Sequence, residues 1–407
     1  MKMRWVDGGV TAPRGFFAGT AFAGIKAGAR PKNQMSTADM TLIYSEKPAA
    51  VSGTFTTNRV QAAPVVLAKK KIAQGKARAI VCNSGNANAC TGSQGLVAAE
   101  NITKAVAQAL KIDDTEVLIA STGVIGVPLP VEKMLAAVPQ VVASLSSHGG
   151  EDAARAIMTT DTKPKLGAVQ LEILGKVVTI GGIAKGSGMI HPNMATMLGF
   201  ITTDAEIEPV LLQGILREVV ADTFNMITVD GDTSTNDMVL CLANGASSVN
   251  IAEGDGLDAF RQALQILCTK LACMIAADGE GATRLLEIQV NGARTKADAR
   301  LIARSIAASN LVKAAVFGAD ANWGRILCAA GYSGAEFDPG KTSIYLGNIE
   351  VARRGEALPF DVEGARAALQ EKEVIIEVKL GEGSAQAVAW GCDLSYDYVR
   401  INASYRS

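Results

Sequence analysis

The sequence predicts an α/β protein with α+β-type layering, in which mixed, largely antiparallel sheets are sandwiched by helices. Strand-like and helix-like segments alternate through both halves of the 407-residue chain. Several strand pairs are separated only by tight turns, as at Gly175-Lys176 and Gly347-Asn348, and such hairpins join antiparallel strands. Neither the Gly-x-Gly-x-x-Gly nor the Gly-x4-Gly-Lys-Ser/Thr nucleotide fingerprint occurs after a predicted strand, so a purely parallel doubly wound sheet is not indicated.

The size and composition are those of a globular protein. Hydrophobic residues make up 48% and charged residues 19%, and the formal net charge is −1. A chain of this length holds two to three ordinary domains or one large α/β body. The near-neutral charge without a basic block gives nucleic-acid binding no electrostatic support. No apolar run suits a membrane span, and residues 1–30 lack the apolar core of a signal peptide, so we expect a cytoplasmic protein.

Cysteines and histidines limit the chemistry that the chain can perform. The seven cysteines are scattered without a Cys-x-x-Cys pair, which indicates buried free thiols in a reducing compartment. Only two histidines, His148 and His191, are available for a zinc site or a Ser-His-Asp triad. His191 precedes a proline and is interpreted as a turn residue, in preference to a catalytic base.

In the first half, apolar residues spaced by three and four predict helices, and short apolar or alternating runs predict strands. The predicted strands are 39–44, 54–58, 79–82, 117–120, 169–174 and 177–183, and the predicted helices are 96–110, 131–145 and 151–158. Pro139 should kink or split the second helix. The Asn- and Gly-rich segment 83–92 is interpreted as a long turn, with a polar platform near a ligand as the alternative. Segment 121–126 is predicted as a Thr-Gly turn whose N–H groups could bind an anion.

The second half follows the same alternation. The predicted strands are 196–203, 238–244, 285–290, 312–317, a hairpin within 343–351, and 374–380 paired with 386–390; the predicted helices are 209–224, 257–277 and 296–309. The acidic loop 229–237 resembles a calcium loop only superficially. Its glycine lies between the aspartates and no Glu follows at the required distance, so an EF-hand is rejected. Glu280 stands between two glycines, either as a solvated residue at a helix end or as a carboxylate projecting into a site.

One stretch, residues 185–198, combines a glycine-rich path with a threonine at the start of a predicted buried strand. It reads Lys-Gly-Ser-Gly-Met-Ile-His-Pro-Asn-Met-Ala-Thr-Met-Leu, and the small residue Ala195 precedes Thr196. A threonine in this position suggests an N-terminal nucleophile that is exposed when the chain cleaves itself before Thr196.

This stretch resembles the ornithine acetyltransferase family of arginine biosynthesis, also called glutamate N-acetyltransferase. Other blocks that look like the family follow in its order at 53–59, 82–92, 121–126, 157–162, 230–237, 278–281, 318–324 and 402–407. The resemblance implies a DmpA/ornithine acetyltransferase-like fold. It also implies a precursor that cleaves itself between Ala195 and Thr196 into an α chain, 1–195, and a β chain, 196–407, which together form one catalytic body.

The resemblance assigns roles to individual residues. It implies that Thr196 is the nucleophile and that the backbone or hydroxyl groups of Thr122 and Gly123 form the oxyanion hole. The residues implied to bind substrate are Thr159, Lys185, Thr196, Glu280, Asn402 and Ser407. It further implies an α2β2 heterotetramer and no metal or redox cofactor.

The implied reaction moves an acetyl group from N2-acetyl-L-ornithine to L-glutamate through an acetyl-Thr196 intermediate. The α-amine freed by cleavage, with a reference pKa of about 8, is one candidate base and Glu280 is another. Lys185 suits a substrate carboxylate, and Glu280 suits the ornithine ammonium or a proton relay. Bifunctional members of the family also take acetyl-CoA as a donor, and the motifs leave that use open here.

Two alternatives remain at this point. One is a hydrolase, such as an aminopeptidase, on the same self-cleaving scaffold, which would release its product to water. The other is a non-catalytic metabolite-binding protein in which Thr196 merely starts a strand. Dependence of ornithine release on glutamate separates the first alternative from a transferase, and an uncut chain would favour the second.

Overall fold

The computed structural model describes residues 3–26, 38–191 and 197–404. The strands are β1 Met3–Val6, β2 Phe16–Ala21, β3 Met40–Phe55, β4 Lys76–Asn86, β5 Val117–Val124, β6 Lys165–Ile173, β7 Lys176–Lys185, β8 Leu198–Thr203, β9 Met238–Ala243, β10 Leu285–Ala293, β11 Ser343–Leu346, β12 Ile349–Arg353, β13 Glu356–Ala357, β14 Glu373–Lys379 and β15 Ala385–Cys392. The α-helices are α1 Ala63–Ile72, α2 Gly92–Leu110, α3 Val131–Ala143, α4 Gly150–Ala156, α5 Pro209–Asp222, α6 Gly254–Ala277, α7 Lys296–Ala308, α8 Asn310–Phe317, α9 Trp323–Gly331, α10 Val362–Gln370 and α11 Tyr396–Ser404.

In this part of the chain the strands form one nine-stranded and one six-stranded sheet. The first has the order β1-β6-β7-β8-β9-β3-β4-β5, with β2 also paired to β3, and the second has the order β13-β12-β11-β14-β10-β15. The pairs β8/β9, β4/β5 and β10/β14 are parallel, and the other ladders between these strands are antiparallel. The predicted mixed, largely antiparallel architecture is confirmed.

Helix α6 joins the two sheets into one core. Its buried residues follow the helical spacing of three and four from Phe260 through Leu264, Leu267 and Leu271 to Ile275. It packs on β6 and β7 of the first sheet and on β10 and β15 of the second. Helix α6 therefore lies between the sheets, and its C-terminal end is held in place from both sides.

The parallel pair β4/β5 is buried on both faces. Val81 and Ile119 pack with helices α2 and α3, whereas Ile80 and Leu118 belong to the core on the opposite face. Burial on both faces explains the continuous apolar runs that identified these strands in the sequence. The pair ends at the candidate active site.

Both predicted hairpins are present. The first joins β6 to β7 through Leu174 and Gly175, one residue earlier than predicted, and both have the positive φ angles of a type I′ turn, 53° and 73°. The second joins β11 to β12 through Gly347-Asn348, as predicted.

Two predictions in the second half were wrong. Residues 312–317 form helix α8 instead of a strand, because the Ser309 side chain caps the helix by accepting the N–H of Val312. A short apolar run cannot by itself distinguish these two states.

In addition, β14 and β15 do not pair with each other, since β10 lies between them. The backbone N–H groups of Glu382 and Gly383 each donate to Gly292 O at 2.9 Å, so the Gly-Glu-Gly turn crosses the end of β10.

The cysteines are free, but they are not all buried as expected: Cys90 and Cys328 are exposed. The expectation rested on the scattered spacing and the absence of a Cys-x-x-Cys pair, and spacing of this kind does not indicate whether an individual thiol is buried. Among the described helices, none combines the length and the apolar character that a membrane crossing requires.

Candidate active site

One pocket gathers the predicted site residues that the structure describes. It includes Thr122, Gly123, Thr159, Lys185, Glu280 and Asn402. Its further lining residues are Ala87, Ile125, Thr160, Gly188, Met189, Asp230, Asp232, Ser234, Asn236 and Tyr398. Ala195, Thr196 and Ser407 lie outside the described residues, so their predicted roles stay predictions.

The described residues on both sides of the predicted cleavage point contact the acidic loop 229–237 and the first residue of β9, which follows it. Thr233 Oγ1 donates to His191 O at 3.0 Å, and Met238 N donates to Met197 O at 3.2 Å. Asp230, which lines the pocket, belongs to this loop. His191 and Met197 are therefore both held next to a segment that contributes to the pocket.

The predicted oxyanion residues lie at the end of β5. The expected Thr-Gly turn is instead the continuation of this strand, because β4 also extends to Asn86 and pairs with it through an irregular register. Gly123 has a φ of +132°, and a Cβ at this position would lie 2.3 Å from the carbonyl carbon of Gly85. Only glycine allows these two backbones to approach so closely.

Asparagines at the end of β4 and directly after it hold the end of β5 in place. Asn83 Oδ1 accepts the Ser121 hydroxyl at 2.6 Å, and Asn88 N donates to Asn86 Oδ1 at 2.8 Å as in an Asx turn. The Asn236 amide donates to Ser121 O at 2.9 Å and also to Ala87 O. These asparagines hydrogen-bond to the protein's own groups and not to a ligand, but the predicted long turn was wrong over 83–86, which form the end of β4; the turn is confined to the residues between Asn86 and the start of α2 at Gly92.

Lys185 and Thr159 form the cationic side of the pocket. Lys185 is the last residue of β7, and Thr159 follows helix α4. The Lys185 ammonium donates to Thr159 Oγ1 at 2.7 Å and lies 3.6 Å from Asp161 Oδ2. Thr160 also lines the pocket, whereas Thr162 donates its backbone N–H to Asp278. Among the three neighbouring threonines, Thr159 is therefore the one that contacts Lys185.

Glu280 forms an acidic side shortly after the end of α6. It is 9% exposed, so it is not the solvated helix-end residue considered from the sequence. Its N–H donates to Ser187 O at 2.9 Å, and its Oε2 accepts the Asn402 amide at 2.8 Å. The pocket thus offers an ammonium and a carboxylate whose positions are fixed by neighbouring groups.

The structure adds Asp230 and Tyr398, which sequence reasoning missed. Asp230 accepts the N–H groups of Met189 at 2.5 Å and Ile190 at 2.8 Å, which precede the predicted cleavage point at Ala195 by six and five residues. Burial raises the pKa of Asp230. Burial, together with Asp230, also raises the pKa of the Tyr398 hydroxyl, which donates to Asp230. Loop 229–237 resembles a calcium loop superficially and its residues 230–237 resemble the family, but neither pattern indicates these backbone contacts.

His191 is not among the residues that line the pocket. Its Nδ1 lies 3.1 Å from Thr228 Oγ1, and burial followed by the charge of Arg304 lowers its pKa. These contacts agree with a residue that orders the local backbone.

Comparison with known proteins identifies relatives along the whole chain. The model of the ArgJ family matches residues 21–407. The arginine biosynthesis bifunctional protein ArgJ of Symbiobacterium thermophilum is 54% identical over 407 residues, which is 100% of both chains. Its namesake from Caldanaerobacter subterraneus subsp. tengcongensis is 52% identical over 411 residues, again 100% of both chains. A crystal structure of arginine biosynthesis bifunctional protein argJ from Bacillus halodurans, 49% identical, matches with a TM-score of 0.50 and covers 51% of this chain and 98% of that chain.

Proposed function

The chain belongs to the ArgJ family, and we propose that it is the acetyltransferase of arginine biosynthesis that moves the acetyl group of N2-acetyl-L-ornithine to L-glutamate. The observation that carries the proposal is the single pocket in which Thr122 and Gly123 meet Lys185 and Glu280. An oxyanion site, a cation and an anion together suit the transfer of an acyl group between two amino acids.

The charges of the pocket match the substrates. N2-acetylornithine carries an α-carboxylate and a side-chain ammonium, and glutamate carries two carboxylates and an α-amine. Lys185 is the natural partner of a carboxylate, and Glu280 is a partner for an ammonium or a proton relay. Asn402 and Thr159 contact these two side chains directly and complete their orientation.

In the proposed reaction Thr196 Oγ attacks the acetyl carbonyl of N2-acetylornithine, and the C–N bond breaks as ornithine leaves with the proton taken from the hydroxyl. The glutamate α-amine then attacks the acetyl ester, which regenerates the Thr196 hydroxyl. Each tetrahedral intermediate carries an oxyanion that Thr122 and Gly123 would stabilise. The α-amine of Thr196 and Glu280 are the two candidate bases. The residues supply the whole reaction without a metal or redox cofactor.

Self-cleavage between Ala195 and Thr196 is part of the proposal. It would give chains 1–195 and 196–407, which the antiparallel pairing of β7 with β8, from Lys185↔Leu198 to Ile180↔Thr203, would hold in one sheet. The Bacillus halodurans chain matches about half of this chain over 98% of its own length, as a separate half-length chain would. We extend the proposal to a cytoplasmic α2β2 assembly. We also propose acetyl-CoA as a second acetyl donor, because the relatives are named bifunctional.

Self-cleavage and acetyl transfer are tested separately. Intact mass spectrometry and denaturing electrophoresis should give two fragments for the wild type and one 42.2-kDa chain for Thr196→Ala, which should also lose transfer. Cys82→Ala and Cys90→Ala serve as controls that cleave normally. Incubation with N2-acetylornithine should release ornithine over many turnovers only when glutamate is present; without glutamate, release should stop at about one equivalent per active site, when acetyl-Thr196 has formed. Continued release without glutamate would identify the hydrolase alternative, and an uncut but active wild type would overturn self-cleavage.

A further inference from the structure

Four buried charged side chains alternate in sign behind the pocket. Asp278 Oδ2 lies 2.6 Å from Lys165 Nζ, which lies 2.7 Å from Asp161 Oδ1. Asp161 Oδ2 in turn lies 3.6 Å from Lys185 Nζ. The side chains of Asp161 and Lys165 are 0% and 1% exposed. We call Asp278-Lys165-Asp161-Lys185 the charge network. Of its four members only Lys185 lines the pocket, so the network ends there.

Such a network is stable only when every charge is paired, because an unpaired buried charge costs several kcal/mol. Burial alone would raise the pKa of Asp161, but Lys165 and Lys185 hold it well below its ordinary range. Burial would lower the pKa of Lys165, but Asp161 and Asp278 raise it. The two carboxylates and two ammonium groups therefore balance one another.

Asp161 fixes more than the Lys185 ammonium. Its Oδ2 accepts the N–H of Thr159 at 3.0 Å, and its Oδ1 accepts the N–H of Gly186 at 2.7 Å. One carboxylate thus holds the backbone next to Lys185, the Lys185 head group and the threonine that this head group contacts. A lysine side chain has four flexible methylene groups, so a fixed carboxylate restricts it considerably.

The other end of the network reaches the acidic side of the pocket. The Ser187 hydroxyl donates to Asp278 O at 2.6 Å, and the Glu280 N–H donates to Ser187 O at 2.9 Å. Asp161 and Lys165 precede the predicted cleavage point, whereas Asp278 and Glu280 follow it. The network therefore connects the segments that carry the two charged substrate residues.

We propose that Asp161 is a positioning residue that aims Lys185 and Thr159 at the substrate α-carboxylate, and that the Lys165–Asp278 pair anchors Asp161. This inference rests on the proposed function, in which Lys185 receives that carboxylate. Asp161 itself makes no contact with substrate in this scheme. Its loss should therefore impair only substrates that use Lys185.

A double-mutant cycle tests this role with Asp161→Asn, Lys185→Met and the combined variant. For N2-acetylornithine, Asp161→Asn should lower kcat/KM by about 10- to 100-fold, mainly through KM, whereas the same change in the Lys185→Met background should cost less than about threefold. With N-acetyl-1,4-diaminobutane, which lacks the α-carboxylate, Asp161→Asn should change kcat/KM by less than about threefold. Equal losses in both backgrounds, or with both substrates, would overturn the positioning role.

Asp204→Asn is the matched control. Its buried carboxylate likewise accepts a backbone N–H, from Thr179 at 2.8 Å, and pairs with a cation, Arg14, but it is not among the pocket-lining residues. It should leave kcat/KM unchanged for both substrates. Loss of activity in this control would show that any buried aspartate affects transfer through folding alone and would count against Asp161.

If Asp161→Asn does not fold, Lys165→Met provides the second variant. Without Lys165, Lys185 is the nearest ammonium to Asp161, so the Lys185 side chain should move towards Asp161 and away from Thr159. This movement should raise KM for N2-acetylornithine but not for N-acetyl-1,4-diaminobutane. Unchanged or equally raised KM values would contradict the inference. Failure of the proposed function is distinguishable, because the wild type itself would then transfer no acetyl group from N2-acetylornithine.

Discussion

The side-chain amide of Asn402 lies 2.8 Å from Oε2 of Glu280, which connects helix α11 to the loop after α6 inside the candidate pocket. The same carboxylate lies against Gly188, where a Cβ would lie 2.4 Å from Glu280 Cδ. The Asn402 donor and the absence of a side chain at Gly188 therefore both set the position of Glu280.

This arrangement predicts that Gly188→Ala displaces the Glu280 carboxylate while the protein still folds, since the clashing atoms belong to a side-chain end. We expect kcat/KM for N2-acetylornithine to fall at least about tenfold, close to the effect of Glu280→Ala, which corresponds to about 1.4 kcal/mol. Steady-state kinetics measure this loss. Gly214→Ala is the control, because its Cβ would meet no atom within 4 Å and Ala favours a helix interior. Equal activity in the two variants would contradict the prediction.

Gly123→Ala is expected to damage both stability and transfer. The new Cβ would meet the backbone of Gly85 and Asn86 at 2.3 Å and 2.5 Å, and the φ of +132° is unfavourable for any other residue. Displacement of this strand end should cost about 100-fold in kcat if it supplies an oxyanion donor. Thermal unfolding and transfer assays measure the two effects separately.

Gly126→Ala is the comparison for that experiment. Gly126 also has a positive φ, 78°, but its Cβ would have no neighbour within 4 Å. It should lose about 1–2 kcal/mol of stability from conformation alone and keep most of its transfer activity. If Gly126→Ala lost as much activity as Gly123→Ala, close contact at Gly123 would not be the reason.

Asp230→Asn is expected to slow self-cleavage. An amide oxygen cannot replace both carboxylate oxygens that hold Met189 N and Ile190 N ahead of the predicted cleavage region. Because burial raises the pKa of Asp230, a neutral side chain should be tolerated in the fold. A time course of intact precursor by denaturing electrophoresis measures the rate, with exposed Asp258→Asn on helix α6 as the control. Cleavage at the wild-type rate would argue against a role for this contact.

The stability of the protein should depend on pH through Asp161. Lys165 and Lys185 hold its pKa below the ordinary value despite burial, and Lys26 also faces it. A carboxyl with a depressed folded-state pKa contributes stability above the unfolded pKa of about 3.9 and loses it as the pH falls towards the folded pKa. The difference in unfolding free energy between wild type and Asp161→Asn should therefore be largest at neutral pH and shrink below about pH 4. Urea titrations across this range measure it, and a constant difference would contradict the assignment.

The sequence predicted the elements that depend on local pattern. The turn at Gly175, the hairpin at Gly347-Asn348 and the apolar spacing of α6 all reflect interactions among neighbouring residues, and each is present. The family resemblance also identified residues from distant blocks that the structure places in one pocket. Their roles stay predictions until the variants are measured.

Only the tertiary structure decided which distant groups meet. The insertion of β10 between β14 and β15 depends on pairing with strands far away in the chain, which no local pattern records. Likewise, Lys165 and Asp278 are separated by 113 residues, and nothing near either one in sequence indicates its partner. Hairpins and helices are favoured by contacts within a few residues, whereas buried ion pairs form only once the folded core excludes water and brings the charges together. The sequence by itself therefore determined the family, the local elements and the candidate residues, and the fold determined how Asp161 connects them.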